Sequence, residues 1–254
     1  PSKFFQFVNI FNQKRFNNGF ILSKNYFKVN KKLLQNINLI TNINSLPIEK
    51  NFILSGMNLA FLGFYSKGEI NISENFYNWP DGIFVKSLNR SIKKIAGREL
   101  IRKLKIPESI NKINIIGNLT FKSKEYLEKK FKKPVVNHSM PYGSISKLIE
   151  YLPLLNKDDL TFITLPTPKQ EQLAIELQKL NKNYKIICIG ASVAIASGEE
   201  KQIPVFLERL NLEFIWRLRT DTIRRVMRLF TSLIYYLKGR RKKIYSKFQV
   251  NIID

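Results

Sequence analysis

Apolar residues in this chain fall into short runs separated by stretches of helical spacing, and that alternation predicts the fold. Phe52-Ile53-Leu54 ends at Ser55-Gly56 and reads as a buried strand with its exit turn. Ser91 to Leu104 carries Ile92, Ile95, Leu100, Ile101 and Leu104 at helical spacing, and Pro107 closes it. Ile113-Asn114-Ile115-Ile116-Gly117 is the next strand and turn. Tyr126 to Phe131 belongs to a following helix, and Pro134-Val135-Val136 opens another strand. Ile145 to Leu152 reads as a helix. Thr161-Phe162-Ile163-Thr164-Leu165 is a β-rich run stopped by Pro166 and Pro168, and a helix then runs through Leu180. Ile186-Ile187-Cys188-Ile189-Gly190 is the last clear strand. Strand and helix alternating at this spacing predict an α/β, Rossmann-like fold, a mostly parallel sheet flanked by helices. Ligands of such sheets bind outside the carboxyl ends of the strands. The turns after Leu54, Ile116, Leu165 and Ile189 are therefore the ones to watch.

The two ends read differently. Residues 1–50 mix aromatics with Lys and Asn, as in Phe4-Phe5-Gln6-Phe7, without clear periodicity, and their role is unassigned. Residues 51–203 hold the α/β core. Beyond Pro204 the pattern is helical, with Phe206, Leu210, Phe214 and Leu218 on one apolar stripe and Val226, Met227, Phe230 and Ile234 on another. Residues 204–254 thus read as a helical, basic appendage.

Charge changes the picture. Among 254 residues, 43 Lys and Arg against 19 Asp and Glu give a net charge of +24. Such an excess suits a polyanionic partner, either nucleic acid or an anionic membrane. AT-rich codon usage would also raise Lys, Asn, Ile and Phe. Cys188 is the only cysteine, so no internal disulfide forms, which fits a reducing cytoplasm. The N-terminus carries no signal-peptide pattern, and no apolar run reaches spanning length.

The motifs exclude more than they specify. There is no G-x-x-x-x-G-K-[ST] and no G-x-G-x-x-G. One His and one Cys cannot build a His/Cys metal cage, and D-x-D is absent, so no metal is expected. His138 reads as structural, and Asp158-Asp159 as a loop or cap. Three constellations remain. Trp79-Pro80-Asp81-Gly82 offers a carboxylate that could take a proton from an acceptor hydroxyl, or is simply a turn. Leu165 to Glu171 lies where a strand meets a helix start. Free N–H groups there favour a diphosphate, and Gln170 could read a base or sugar; the alternative is a Pro-started helix whose dipole Glu171 complements. Arg217, Arg224 and Arg228, at offsets of seven and eleven, share one helix face. They could neutralise a diphosphate, contact lipid phosphates, or form an ion-pair ladder with Asp221.

In this order the constellations resemble the WecG/TagA/CpsF family, glycosyltransferase family twenty-six, from about Phe52 to about Phe230. Asn58 resembles the family's Asn after its first strand, and Pro80-Asp81-Gly82 its P-D-G. Ala96-Gly97-Arg98-Glu99-Leu100 resembles the R-x-x-G-x-x-L block, with Lys94 in place of the Arg. Pro168-Lys169-Gln170-Glu171 resembles P-x-Q-E, and Leu212 to Leu218 resembles L-E-W-x-x-R-L. Arg224 and Arg228 resemble the terminal arginines. This chain departs from the pattern at Gly56, where Thr is usual, at Val193 to Gly198, where the family's F-D-x-x-A-G loses its Asp, at Thr222 and at Met227.

The resemblance implies inverting transfer from a UDP-sugar, N-acetylmannosamine-like, to a polyprenyl-diphosphate-linked sugar, in teichoic acid or surface polysaccharide synthesis. Asp81 would be the general base. Gly56, Asn58, Lys94, Gly117, Pro168, Gln170, Glu171, Arg217, Arg224 and Arg228 would bind substrate, without metal or other cofactor. The appendage, with Arg240, Arg241, Lys242 and Lys243, would face the anionic cytoplasmic surface of the bacterial inner membrane, and its apolar residues would suit lipid or a second subunit. Two other readings stand beside this one. One is a catalytically divergent family member acting as an assembly partner. The other is a basic nucleic-acid-binding protein, disfavoured because no such motif is present.

Overall fold

The computed structural model describes residues 35–89, 91–201, 204, 206–207, 216 and 223–254. Residues 35–254 form one compact unit. Its strands are β1 (Gln35–Ile40), β2 (Phe52–Gly56), β3 (Phe76–Trp79), β4 (Ile113–Ile116), β5 (Val135–His138), β6 (Leu160–Ile163), β7 (Lys185–Cys188) and β8 (Phe248–Ile253). They form one sheet in the order β5-β4-β6-β7-β2-β3-β1-β8. Every adjacent pair is parallel. All strands therefore end on the same rim. β2, β4, β6 and β7 are buried throughout, because helices cover both faces of a parallel sheet, and this is why they read as mostly apolar runs with single polar residues.

The described helices are α1 (Leu59–Ser66), α2 (Gly97–Lys103), α3 (Phe121–Phe131), α4 (Ile145–Ile149), α5 (Lys169–Leu180), α6 (Ser192–Ala196) and α7 (Ile223–Arg241). Two hydrophobic cores separate the layers. One gathers Phe61 and Leu62 of α1, Leu148 of α4, Leu173 and Leu177 of α5 and Tyr236 of α7. The other gathers Leu100 and Ile101 of α2, Leu127 and Phe131 of α3, and Val193 and Ala196 of α6. Neighbouring strands β2 and β3 thus send their chains to opposite faces, and so do β4 and β6. A crevice opens on the rim at such switch points.

Three features depart from the sequence expectations. β1, β3 and β8 were not foreseen, and β8 ends an appendage expected to be helical. It lies beside β1 from Gln35↔Phe248 to Ile40↔Ile253. The helix expected from Ser91 starts only at Gly97. Before it residues 92–96 form no helix, and the Ile95 N–H donates to the Pro80 carbonyl at 2.8 Å. The spacing of Ile92 and Ile95 reflects packing of that segment, not a helical turn.

In α7 the expected stripe faces outward. Ile223, Met227, Phe230, Ile234 and Leu237 are about half exposed or more. The opposite face, Ser232, Tyr236 and Gly239, is buried. Small residues win that face because α7 crosses α1 closely. A Cβ on Gly63 would stand 2.5 Å from the Ser232 carbonyl oxygen. Ser66 Oγ donates to the Tyr235 carbonyl at 2.8 Å, so residues 63 to 66 of α1 track 232 to 235 of α7 and the two helices run the same way. Tyr245, just past α7, locks the crossing by donating its hydroxyl to the Leu62 carbonyl at 3.0 Å.

Candidate active site at the carboxyl rim

The β2/β3 switch point holds the expected carboxylate. Asn58 caps α1: its Oδ1 accepts the Phe61 N–H at 3.0 Å. That bond fixes the amide orientation, so Nδ2 must point the other way, and it donates to Asp81 Oδ2 at 3.0 Å. One residue therefore starts the helix and aims the carboxylate. Asp81 is half-buried, in the turn after β3. Gly82 beyond it has φ +93°, where a side chain would be strained. Beneath it lies Gly56. A Cβ there would meet the Trp79 ring at 2.8 Å, Asp81 Cβ at 3.0 Å and Asp81 Oδ2 at 3.1 Å. A side chain at Gly56 would therefore have to displace Trp79 or Asp81. Lys94 is half-buried beside Ile95, whose N–H donates to the Pro80 carbonyl.

α7 brings two of the expected arginines to this end. Its parallel course along α1 puts Arg228, four residues before Ser232, about 6 Å toward the rim, on a level with Asn58. Arg224 lies four residues, about 6 Å, further on. Phe84, just after Asp81, meets Tyr236 edge-on with ring centroids 5.2 Å apart and ties this loop to α7. Arg217 lies outside the described residues. Arg240, Arg241, Lys242 and Lys243 are exposed at the far end of the helix, about 25 Å from Arg224 at 1.5 Å per residue.

In the P-x-Q-E stretch the Gln170 and Glu171 side chains bond within the protein. Pro168, after a cis bond to Thr167, stands at the start of α5. Gln170 is buried, and its side chain is engaged within the protein. Oε1 accepts the Gly190 N–H at 3.0 Å, and Nε2 donates to Thr167 Oγ1 at 3.0 Å and to Glu171 Oε1 at 2.8 Å. Gln170 thus shapes the exit turns of β6 and β7 from beneath, where the sequence suggested a group reading a base or sugar. Glu171 is wholly buried, and its Oε1 also accepts from Ser55 Oγ at 2.8 Å and Thr167 Oγ1 at 3.0 Å. Burial pushes its carboxyl above the usual range, against the pull of these bonds. Burial also pushes the Cys188 thiol well up, and the Glu171 charge adds to it. Ser55 was not singled out from sequence, since nothing local marks a hydroxyl as the partner of a carboxylate 116 residues away; Thr167, four residues before Glu171, lies within the Leu165 to Glu171 stretch.

Gly117 follows β4 with φ +132°, and a Cβ there would stand 2.2 Å from Thr164 Oγ1, so the exits of β4 and β6 touch at their switch point. That point lies two to three strand steps from β2, about 10–14 Å at about 4.8 Å each. His138 is structural, as expected. Its Nε2 meets Asn114 Oδ1 at 3.2 Å, and Asn114 Nδ2 donates to buried Asp159 at 3.0 Å. Burial lowers the imidazole below its ordinary range, and Lys112 lowers it further.

The rim thus carries one oriented carboxylate with arginines on a neighbouring helix. In comparison with known proteins, residues 120–247, half of the chain, match the family model described as glycosyl transferase WecG/TagA/CpsF family. The match spans α3 to α7 and thus includes the P-x-Q-E stretch and both described arginines. On this evidence the chain belongs to the WecG/TagA/CpsF family of glycosyltransferases.

Proposed function

We propose that this protein transfers a sugar, N-acetylmannosamine-like, with inversion from UDP to a polyprenyl-diphosphate-linked acceptor, in surface polysaccharide or teichoic acid synthesis. The observation that carries the reading is the Asn58-oriented Asp81 at the β2/β3 switch point, with the arginine end of α7 level with it. In this mechanism Asp81 accepts the proton of the acceptor hydroxyl as that oxygen attacks the anomeric carbon. The anomeric C–O bond to the diphosphate breaks in the same displacement, and UDP leaves with the electron pair. Arg224 and Arg228 balance the charge growing on the diphosphate, a task that metal ions serve in other transferases.

Membrane attachment fits the outer face of α7. Among the described residues no helix is long and apolar enough to cross a membrane. The stripe from Ile223 to Leu237 runs the length of α7 opposite its packed face, with the basic cluster Arg240 to Lys243 at its end. A helix of this kind lies flat in the interface plane, and lying flat would bring both the basic cluster and the catalytic rim to the surface where a lipid-linked acceptor resides. Each Lys or Arg near an anionic surface contributes on the order of 1 kcal/mol.

The test is calorimetric titration with UDP in EDTA, followed by transfer assays on wild type and Asp81→Asn. Saturable UDP binding in both proteins, with turnover abolished only in the variant, supports the reading. Absence of UDP binding by folded wild type refutes the donor assignment. Binding without turnover on any lipid-linked acceptor favours the assembly-partner reading.

A further inference from the structure

We propose that Glu199 and Glu200 form a clasp that positions the arginine-bearing end of α7 at the carboxyl rim. The segment follows α6 and is shaped by the end of that helix. Gly198 takes φ +74°, its N–H donates to the Ile195 carbonyl at 3.3 Å, and the N–H groups of Glu199 and Glu200 both donate to the Ala194 carbonyl, at 2.9 and 3.0 Å. This closing turn needs a residue at ease with positive φ, which Gly198 supplies. It sends the two adjacent carboxylates to different layers.

Glu199 goes to the start of α3. Its Oε2 accepts from Thr120 Oγ1 and from Ser123 Oγ, the latter at 2.7 Å. Ser123 Oγ also lies 2.9 Å from Ser197 Oγ, and Lys122 Nζ donates to the Gly198 carbonyl at 3.0 Å. The positive end of the α3 dipole favours a carboxylate there. Glu200 goes to α7, where its Oε1 accepts from Arg225 at 2.9 Å. α3 and α7 cover opposite faces of the sheet. The clasp therefore joins the two layers, and it grips α7 beside Arg224 and one turn before Arg228. The fully buried part of the α7 face, Ser232 to Gly239, lies farther from the rim.

The Glu200–Arg225 pair is about one-third exposed on both sides, so its effect is modest and local. Hydrogen exchange of residues 223–230 should quicken about two- to fivefold in Glu200→Gln, and about tenfold in the Glu199→Gln, Glu200→Gln double variant, while the central strands keep their protection. Exchanging the charges, Glu200→Arg with Arg225→Glu, should restore protection. Unchanged exchange over 223–230 in both glutamine variants overturns the clasp. The link to catalysis rests on the proposed function and is read separately. Loss of kcat in the double variant, with weaker UDP binding beside it, is the expected result. Faster exchange with unaltered kcat would leave the clasp standing and refute the arginines' part in the transfer.

Discussion

Asn58 offers the sharpest test of the site, because one side chain makes two separable contacts. Its Oδ1 caps α1 and its Nδ2 holds Asp81, both at 3.0 Å. Asn58→Asp keeps the cap, since Asp is as good an N-cap as Asn, but sets a second carboxylate against Asp81. Two carboxylates at that distance cannot both ionise freely, so the pair holds a proton to higher pH. Replacing a hydrogen bond to a charged group costs about 1.5–3 kcal/mol, or roughly 10- to 150-fold in rate if the bond aims the base. The base-limited limb of the pH–rate profile should also move to higher pH. Asn58→Ala loses the donor and the cap together. It should lose comparable activity and also about 1 kcal/mol of stability, a fall of about 2–4 °C in Tm. Asn58→Ser retains a capping oxygen and should therefore lose activity without that fall. Steady-state kinetics over pH and calorimetric melting measure both quantities. Full activity in Asn58→Asp with an unmoved pH profile would refute the assignment of Asp81 as an Asn58-aimed base.

Three further outcomes follow from the geometry. Glu171 has a folded-state pKa raised by burial, so it binds its proton more tightly when folded; its stabilising contribution is complete below the unfolded value and is lost as pH rises through the folded one. Urea midpoints of wild type should decline over that window, and those of Glu171→Gln should stay flatter. Gly63→Ala pits helix propensity, about 1 kcal/mol in favour of Ala, against a Cβ 2.5 Å from the Ser232 carbonyl oxygen. Overpacking of about 1–3 kcal/mol should win, and a lower Tm with faster proteolysis of α7 is the expected result. Cys188 is buried with its thiol pushed well up, so it should resist thiol reagents at neutral pH until the protein unfolds, as a colorimetric thiol assay in graded urea would show.

The amino-acid sequence by itself determined which segments must be strands buried on both faces. Ile113–Ile116, Leu160–Ile163 and Lys185–Cys188 are short, mostly apolar, rich in β-branched residues and bounded by turn residues, which favours a strand over a helix. It also determined the order of motifs, and with it the family. It did not determine the edge of the sheet. β8 alternates Gln249 and Asn251 with apolar residues and is only half covered, and its partner β1 is more than 200 residues away. β3 hides its strand character behind Asn78, a buried polar residue whose Nδ2 finds the Ser55 carbonyl at 3.2 Å. Such pairings have no local signature, because long-range contacts alone supply the missing hydrogen bonds. The candidate site divides in the same way. Asp81 and Asn58 were legible as residues, but their bond across 23 positions, the burial of Gln170 and Glu171 beneath the rim, and the outward turn of the α7 stripe belong to the tertiary structure. Periodicity shows that a helix has an apolar face. Only packing decides which face lies inside, and in α7 the close approach of Gly63 admits the small residues and leaves the large ones outside.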